Sequence, residues 1–201
     1  MYKILLKRII DITFSFIALI VLIPVIFIIS LAIIFQCGLP VFFYQERVGK
    51  NWKRFKIIKF RTMINHADNA GPDISTDNDA RITKIGKFLR KYKLDEIPQL
   101  LNILKGDMSI VGPRPEIPKY VNDFSDEYIE ILKIKPGLSD YAALEYSDEA
   151  ALIKSSFNAE EYYKSNILPE KIKLYKRYIR EISFLTDIKI ILRTFKSIIR
   201  Q

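Results

Sequence analysis

The chain has 201 residues, of which 49% are hydrophobic, and a formal net charge of +9. The single cysteine excludes an intramolecular disulfide, and the single histidine argues against a histidine-rich metal site or a His-centred triad. The positive charge favours anionic partners, namely nucleic acid, phosphorylated small molecules or an anionic membrane surface, and carboxylates would have to carry any acid, base or metal chemistry.

An uncharged apolar run extends from Ile12 to Phe35 and is long enough for a helix that crosses a bilayer core of about 30 Å. It exceeds the apolar core of a usual signal peptide. Lysine and arginine flank both ends, and the positive-inside rule places both ends in the cytoplasm. A helix bent at Pro24, which enters the membrane and returns, satisfies this symmetry; a straight transmembrane helix with a tolerated proline is the alternative.

Residues 41–63 are predicted to form a β-hairpin with its turn near Gly49. Alternation along the second strand puts Lys59 and Arg61 on one face, so that both would project from the end of the strand. The polar segment 65–79 is predicted to be a loop. Its aspartates lack the spacing and the closing glutamate of a calcium-binding loop.

Two helices are predicted next. The first covers 81–93, where apolar residues recur at helical spacing among six basic residues. The second begins at the acid pair Asp95 and Glu96, with Pro98 in its first turn and Gly106 at its end.

The final third of the chain is predicted to be helical, with basic residues flanking apolar faces over 172–182 and 188–199. Such helices either lie at a membrane interface or pack onto the core of the domain.

The acid pair allows two interpretations. As an ordinary helix start, Asp95 is the N-cap and Glu96 a favourable first-turn acid, which is the commoner use of such residues. As a reaction centre, the pair would share a phosphate site with Mg²⁺, which prefers one or two carboxylates together with phosphate oxygens and water. An aspartate can also attack phosphorus itself while cations neutralise the transferring group. The cations predicted to converge there are Lys59, Arg61, Arg90 and Arg114.

Four segments carry a resemblance to a known family: KRIIDITFS (7–15), ERVGKNWKRFKIIKFRTM (46–63), LRKYKLDEIPQLLNILKGDMSIVGPRPE (89–116) and KPGLSDYA (135–142). In this order they resemble the bacterial sugar transferases, the monotopic phosphoglycosyl transferases, and in particular the small catalytic form of that family. The resemblance implies transfer of a phosphosugar from a UDP-sugar to undecaprenyl phosphate, with release of UMP. A diacetamido sugar of the bacillosamine type fits the small form, while galactose, glucose and N-acetyl sugars occur among relatives.

The resemblance also implies roles for single residues. Asp95 would be the nucleophile that forms a covalent phosphosugar intermediate. Glu96 would hold Mg²⁺ on the diphosphate, with or without Asp95, and Arg114 would bind phosphate. The other substrate-binding residues implied by the motifs are Lys59, Arg61, Arg90, Pro113 and Glu116.

The predicted fold is α+β, a mainly helical small domain with a short β-hairpin and amphipathic interfacial helices. Residues 1–38 would form a re-entrant membrane helix with both ends cytoplasmic, and 39–201 a cytoplasmic catalytic domain on the bacterial inner membrane. The family implies a helix break at a Ser-Pro pair, where this chain has Ile23 and Pro24. Two other functions stay open: a non-catalytic, membrane-anchored basic module, and a phosphatase or phosphodiesterase with water as acceptor. The absence of a nucleic-acid-binding motif argues against nucleic acid as a partner.

Overall fold

The computed structural model describes residues 5–65, 67, 79–146, 152 and 158–199. Most of the predicted loop 65–79 lies outside these residues. Helix α1, Lys7–Cys37, has 31 residues and stays helical on both sides of Pro24, so a bend there remains a prediction. Within the described part of the chain it is the one helix long and apolar enough to cross a membrane, a test of length and composition that a core helix or a signal sequence also passes.

One face of α1 packs against the rest of the chain. Its buried residues are Asp11, Ser15, Ile29 and Ile33. Four further apolar residues of α1 pack partly against the core, namely Ala18, Leu19, Leu22 and Ile26. Their spacing of three and four residues defines a stripe along the whole helix. The opposite face is exposed and apolar, as at Phe16, Val21 and Phe27.

The predicted hairpin is present. Strand β1, Phe42–Val48, pairs antiparallel with β2, Arg54–Phe60, and the turn between them contains a 3₁₀ segment, Lys50–Trp52. The N–H of Gly49 donates to the carbonyl of Lys53 at 2.9 Å and closes the turn.

Helix α2, Lys84–Lys91, is shorter than the predicted helix over 81–93 because Thr83 caps it, accepting from the N–H of Gly86 at 3.0 Å. Lys93 then adopts a left-handed conformation with φ 56°, and a 3₁₀ turn, Leu94–Glu96, follows.

Helix α3, Gln99–Lys105, begins only after Pro98 and ends, as predicted, at Gly106, which has φ 94°. The prediction of Asp95 as an N-cap is therefore wrong. The left-handed residue Lys93 redirects the chain, and the acid pair lies in its own turn between α2 and α3.

The remaining elements follow in chain order. They are β3 (Ser109–Val111), α4 (Pro118–Asp123), α5 (Ser125–Ile131), β4 (Gly137–Ser139), α6 (Tyr141–Glu145), α7 (Ala159–Tyr162), α8 (Leu168–Glu181) and α9 (Phe184–Ile199). A π-helical segment, Tyr163–Ile167, joins α7 to α8. Strands β3 and β4 pair in parallel, with Ser109 opposite Gly137.

The two C-terminal helices differ in how much of their apolar surface the core covers. Helix α8 buries Ile172, Tyr175 and Tyr178 in the core. Helix α9 buries Asp187 and Ile190, and it exposes apolar side chains that include Leu185, Leu192, Phe195 and Ile199. The α+β prediction is confirmed: a mainly helical domain with a short hairpin and a long apolar N-terminal helix.

Candidate active site

The acid pair meets two cations that come from other parts of the chain. Oε1 of Glu96 accepts a hydrogen bond from Nζ of Lys59, on β2, at 2.9 Å. The same oxygen accepts from Nη2 of Arg114, and Oε2 lies 3.4 Å from Nη1 of Arg114. Glu96 is thus held between an amine and a guanidinium.

Asp95 differs from its neighbour. The residue is 7% exposed, and its carboxylate accepts no hydrogen bond from any residue that the structure describes. Its nearest cation is Lys59, with 4.0 Å between Nζ and Oδ2. Burial raises the pKa of Asp95, and the charge of Glu96 adds to this, while Lys59 and Arg90 act against it.

The other pKa shifts follow from the same contacts. Burial opposes ionisation of Glu96, but Arg114 and Lys59 outweigh it and hold the pKa of Glu96 well below its usual value of 4.5. Glu96 raises the pKa of Arg114. Burial lowers the pKa of Lys59, although Glu96 counteracts part of that effect. The charges of these four groups therefore act on one another.

The loop 112–116 is held against β4, and this fixes the position from which Arg114 reaches Glu96. The N–H of Gly112 donates to the carbonyl of Ser139 at 3.0 Å, and the carbonyl of Pro113 accepts from Gly137 at 2.9 Å. Gly137 has no room for a side chain, since an added Cβ would lie 2.0 Å from the nitrogen of Gly112.

Arg90, on α2, lies near Asp95. Its Nε donates to Oγ1 of Thr62 at 2.8 Å, and its charge lowers the pKa of Asp95.

Arg61 does not join the acid pair, so its predicted projection beside Lys59 is wrong. Strand β2 ends at Phe60, and the Arg61 side chain turns towards α1. Its Nη2 donates to the carbonyls of Cys37, at 2.8 Å, and Gly38, while Nη1 binds the side chain of Asn65.

Pro113 and Glu116 are placed in the supporting structure of the loop. Both are buried, and the carboxylate of Glu116 is occupied by other side chains. Oε1 accepts from the hydroxyl of Tyr163 at 2.8 Å, and Oε2 lies 3.4 Å from Nη1 of Arg47.

Two residues near the site were not predicted, Arg47 and Asp140. Arg47 donates to the carbonyl of Pro115 at 3.0 Å, and Asp140 accepts from the N–H of Arg114 at 2.9 Å. Both lie in segments that carry the family resemblance, but their partners are distant in the chain, and no local spacing indicates such contacts.

A divalent cation would find two carboxylates here and no larger ligand set. Among the described residues there is no group of three or more histidine, cysteine, aspartate or glutamate side chains that could hold a metal ion. Asp95 has free acceptor lone pairs, whereas Glu96 is paired with two cations. This donor set fits Mg²⁺ only where phosphate oxygens and water complete the coordination.

Comparison with known proteins agrees with these features. A family model described as bacterial sugar transferase matches residues 2–201. The chain is 33% identical to the UDP-N-acetylgalactosamine-undecaprenyl-phosphate N-acetylgalactosaminephosphotransferase of Aeromonas hydrophila. The alignment has 197 residues and covers 96% of this chain and 43% of the relative. It is 34% identical to the UDP-glucose:undecaprenyl-phosphate glucose-1-phosphate transferase of Escherichia coli (strain K12). This alignment has 202 residues and covers 98% of this chain and 41% of the relative.

A third relative has a similar length. The uncharacterized sugar transferase EpsL of Bacillus subtilis (strain 168) is 35% identical over 199 residues, which is 97% of this chain and 88% of the relative. By contrast, the chain spans less than half the length of the Aeromonas and Escherichia proteins.

Proposed function

The chain belongs to the bacterial sugar transferase family, and on this premise we propose that it moves a phosphosugar from a UDP-sugar to undecaprenyl phosphate. The observation that carries the proposal is the contrast within the acid pair. Asp95 is a buried carboxylate without a hydrogen bond from the described residues, and Glu96 beside it is held by Lys59 and Arg114. A free carboxylate next to a cationic cluster is suited to attack on a phosphate ester.

The proposed reaction has two displacements at one phosphorus. An oxygen of Asp95 bonds to the phosphorus that carries the sugar, the bond from that phosphorus to the oxygen of the uridine phosphate breaks, and UMP leaves. An oxygen of undecaprenyl phosphate then attacks the same phosphorus. The carboxylate of Asp95 is released, and the product is undecaprenyl diphosphate sugar.

Lys59 and Arg114 are proposed to bind the diphosphate. In the free protein they pair with Glu96, with 2.9 Å between Nζ of Lys59 and Oε1. The diphosphate carries two negative charges against the single charge of Glu96, so substrate binding would draw these cations from Glu96 and leave its carboxylate available to Mg²⁺. The ion supplies neutralisation of diphosphate charge.

The reaction is tested with UDP-sugars and undecaprenyl phosphate in detergent, by measuring UMP release with and without Mg²⁺. Without the acceptor, we expect one equivalent of UMP per protein and a mass increase of one phosphosugar on the peptide that contains Asp95. The Asp95→Asn variant should lose both, because an amide cannot form the acyl phosphate. Asp107→Asn, in the same stretch of chain, is the matched control that should keep both.

Two results would contradict this proposal. Full turnover by Asp95→Asn would exclude this nucleophile. Steady release of sugar phosphate in the absence of undecaprenyl phosphate would instead indicate a hydrolase with water as acceptor. A panel of UDP-sugars, which includes glucose, N-acetylgalactosamine and a diacetamido sugar, identifies the donor.

We also propose that both ends of α1 lie on the cytoplasmic side of a bacterial inner membrane. At its first turn, Arg8 donates to the carbonyls of Ile103, at 2.6 Å, and Leu104. At its last turn, Gln36 accepts from the N–H of Ile85 at 2.8 Å. A straight span would separate the two ends by the thickness of the bilayer, whereas here one folded unit contacts both.

Topology is tested with single cysteines at position 3 and position 50 in a Cys37→Ser background. Both reporters should react only with reagents that reach the cytoplasm. Labelling of one of them from the opposite side of the membrane would show a true transmembrane span.

A further inference from the structure

The carboxylate of Asp140 binds both the loop that carries Arg114 and the N-terminus of α6. Asp140 lies at the N-terminus of α6, is 1% exposed, and caps the helix by accepting from the N–H of Ala143. Its other oxygen, Oδ2, accepts from the N–H of Arg114 at 2.9 Å. The side chain therefore ties the loop that carries the site's guanidinium to the start of a helix.

No neighbouring residue of the loop can replace the hydrogen bond that the N–H of Arg114 donates to Asp140. Pro113 and Pro115 have no N–H, so Arg114 supplies the only backbone donor of these three residues. That donor is paired with Asp140 in a partly buried hydrogen bond, and an unpaired N–H away from water would cost free energy. A carboxylate can accept on both oxygens at once, whereas an amide side chain offers a single acceptor oxygen.

We propose that Asp140 is a positioning residue, which fixes the backbone of Arg114 so that the guanidinium meets Glu96 and the phosphates of the substrate. The inference rests on the proposed function, since it concerns the residue that would bind those phosphates. The alternative is that Asp140 does no more than cap α6. The variant Asp140→Asn separates the two, because asparagine is also a good N-cap but cannot accept from both N–H groups.

Hydrogen exchange tests the contact without any substrate. Residues 113–115 contain a single exchangeable backbone amide, that of Arg114. In Asp140→Asn its exchange should accelerate, while the amide of Ala143 stays protected. Asn158→Ala, which removes the N-cap of α7, is the control that should leave the Arg114 amide unchanged. Unchanged protection of that amide in Asp140→Asn would overturn the inference.

Kinetics test the role. Loss of one hydrogen bond to a charged group predicts a fall of about 10-fold in kcat/KM for the UDP-sugar in Asp140→Asn. In an Arg114→Ala background the same change should cost less than about 2-fold, since no guanidinium remains to be positioned. Equal losses in both backgrounds would show that Asp140 acts on the fold in general and would overturn its role. Absence of any turnover by the unaltered protein would instead contradict the proposed function.

Discussion

Asp95 and Glu96 are neighbours in one 3₁₀ turn, yet their surroundings shift their pKa values in opposite directions. Burial raises the pKa of Asp95, while Arg114 and Lys59 overcome burial and lower that of Glu96. The difference arises from contacts: Glu96 is paired with both cations, and Lys59 is 4.0 Å from Asp95. Glu96 therefore stabilises the folded state as a carboxylate, whereas ionised Asp95 costs stability.

We predict that Asp95→Asn unfolds at a higher temperature than the unaltered protein. The asparagine has nearly the same shape without the charge that burial disfavours, and single stabilising substitutions commonly add about 0.5–2 kcal/mol. The pKa of Asp95 is raised on folding, so the advantage of the variant should be small below the ordinary aspartate pKa and should grow as the pH rises through the raised value. Thermal unfolding between pH 4 and pH 8 measures this. A variant less stable at every pH would contradict the prediction.

Glu96→Gln should have the opposite effect. The amide removes the charge with which Lys59 and Arg114 are directly paired, so we expect a loss of about 1–3 kcal/mol at neutral pH. The pKa of Glu96 is lowered on folding, and its stabilisation is therefore complete above pH 4.5 and is lost as the pH falls through the folded-state value. Denaturant unfolding at pH 7 measures the loss. Glu130→Gln on α5 is the control, and an equal loss there would contradict the argument.

At the scale of elements, the close contact of α2 with the end of the hairpin places Arg90. An added Cβ at Gly86 would lie 2.0 Å from the carbonyl oxygen of Thr62, the residue whose hydroxyl accepts from Arg90. The glycine thus allows the helix to approach the backbone that orients a cation of the site.

We therefore predict that Gly86→Ala is destabilising by about 1–3 kcal/mol, because the methyl group forces α2 away from Thr62. This reverses the usual effect, since alanine normally stabilises a helix interior relative to glycine. Denaturant unfolding measures the change. Lys87→Ala, at the next and exposed position, is the matched control and should be close to neutral. A gain in stability for Gly86→Ala would show that α2 moves freely.

Periodicity in the sequence was sufficient to predict the hairpin, α2 and the helical C-terminus, because each has an apolar repeat of its own. It could not predict the start of α3, which depends on the left-handed conformation of Lys93. It also missed the pairing of β3 with β4, since each strand has three residues and the partners are far apart in the chain. The prediction for Arg61 is wrong for a related reason. Alternation of side chains applies only within a strand, and β2 ends at Phe60, one residue before Arg61.

At the scale of the whole molecule, the two helices with exposed apolar faces begin side by side. Nζ of Lys7, in the first turn of α1, pairs with Asp187, in the first turn of α9. Tyr178 also donates to Asp187 at 2.7 Å, which anchors this junction to the core. A membrane that covers the apolar face of α1 is therefore adjacent to α9, whose basic residues suit an anionic lipid surface.

The last prediction follows from this junction: α9 lies in the membrane interface, whereas the exposed face of α8 contacts water. A fluorophore on Leu192→Cys, in a Cys37→Ser background, should be quenched by brominated lipids in reconstituted vesicles. The same fluorophore on Lys173→Cys of α8 should not be quenched. The native residues at both positions are exposed, so access to water does not distinguish them. Equal quenching at both positions, or none at position 192, would mean that the apolar face of α9 is covered by something other than lipid.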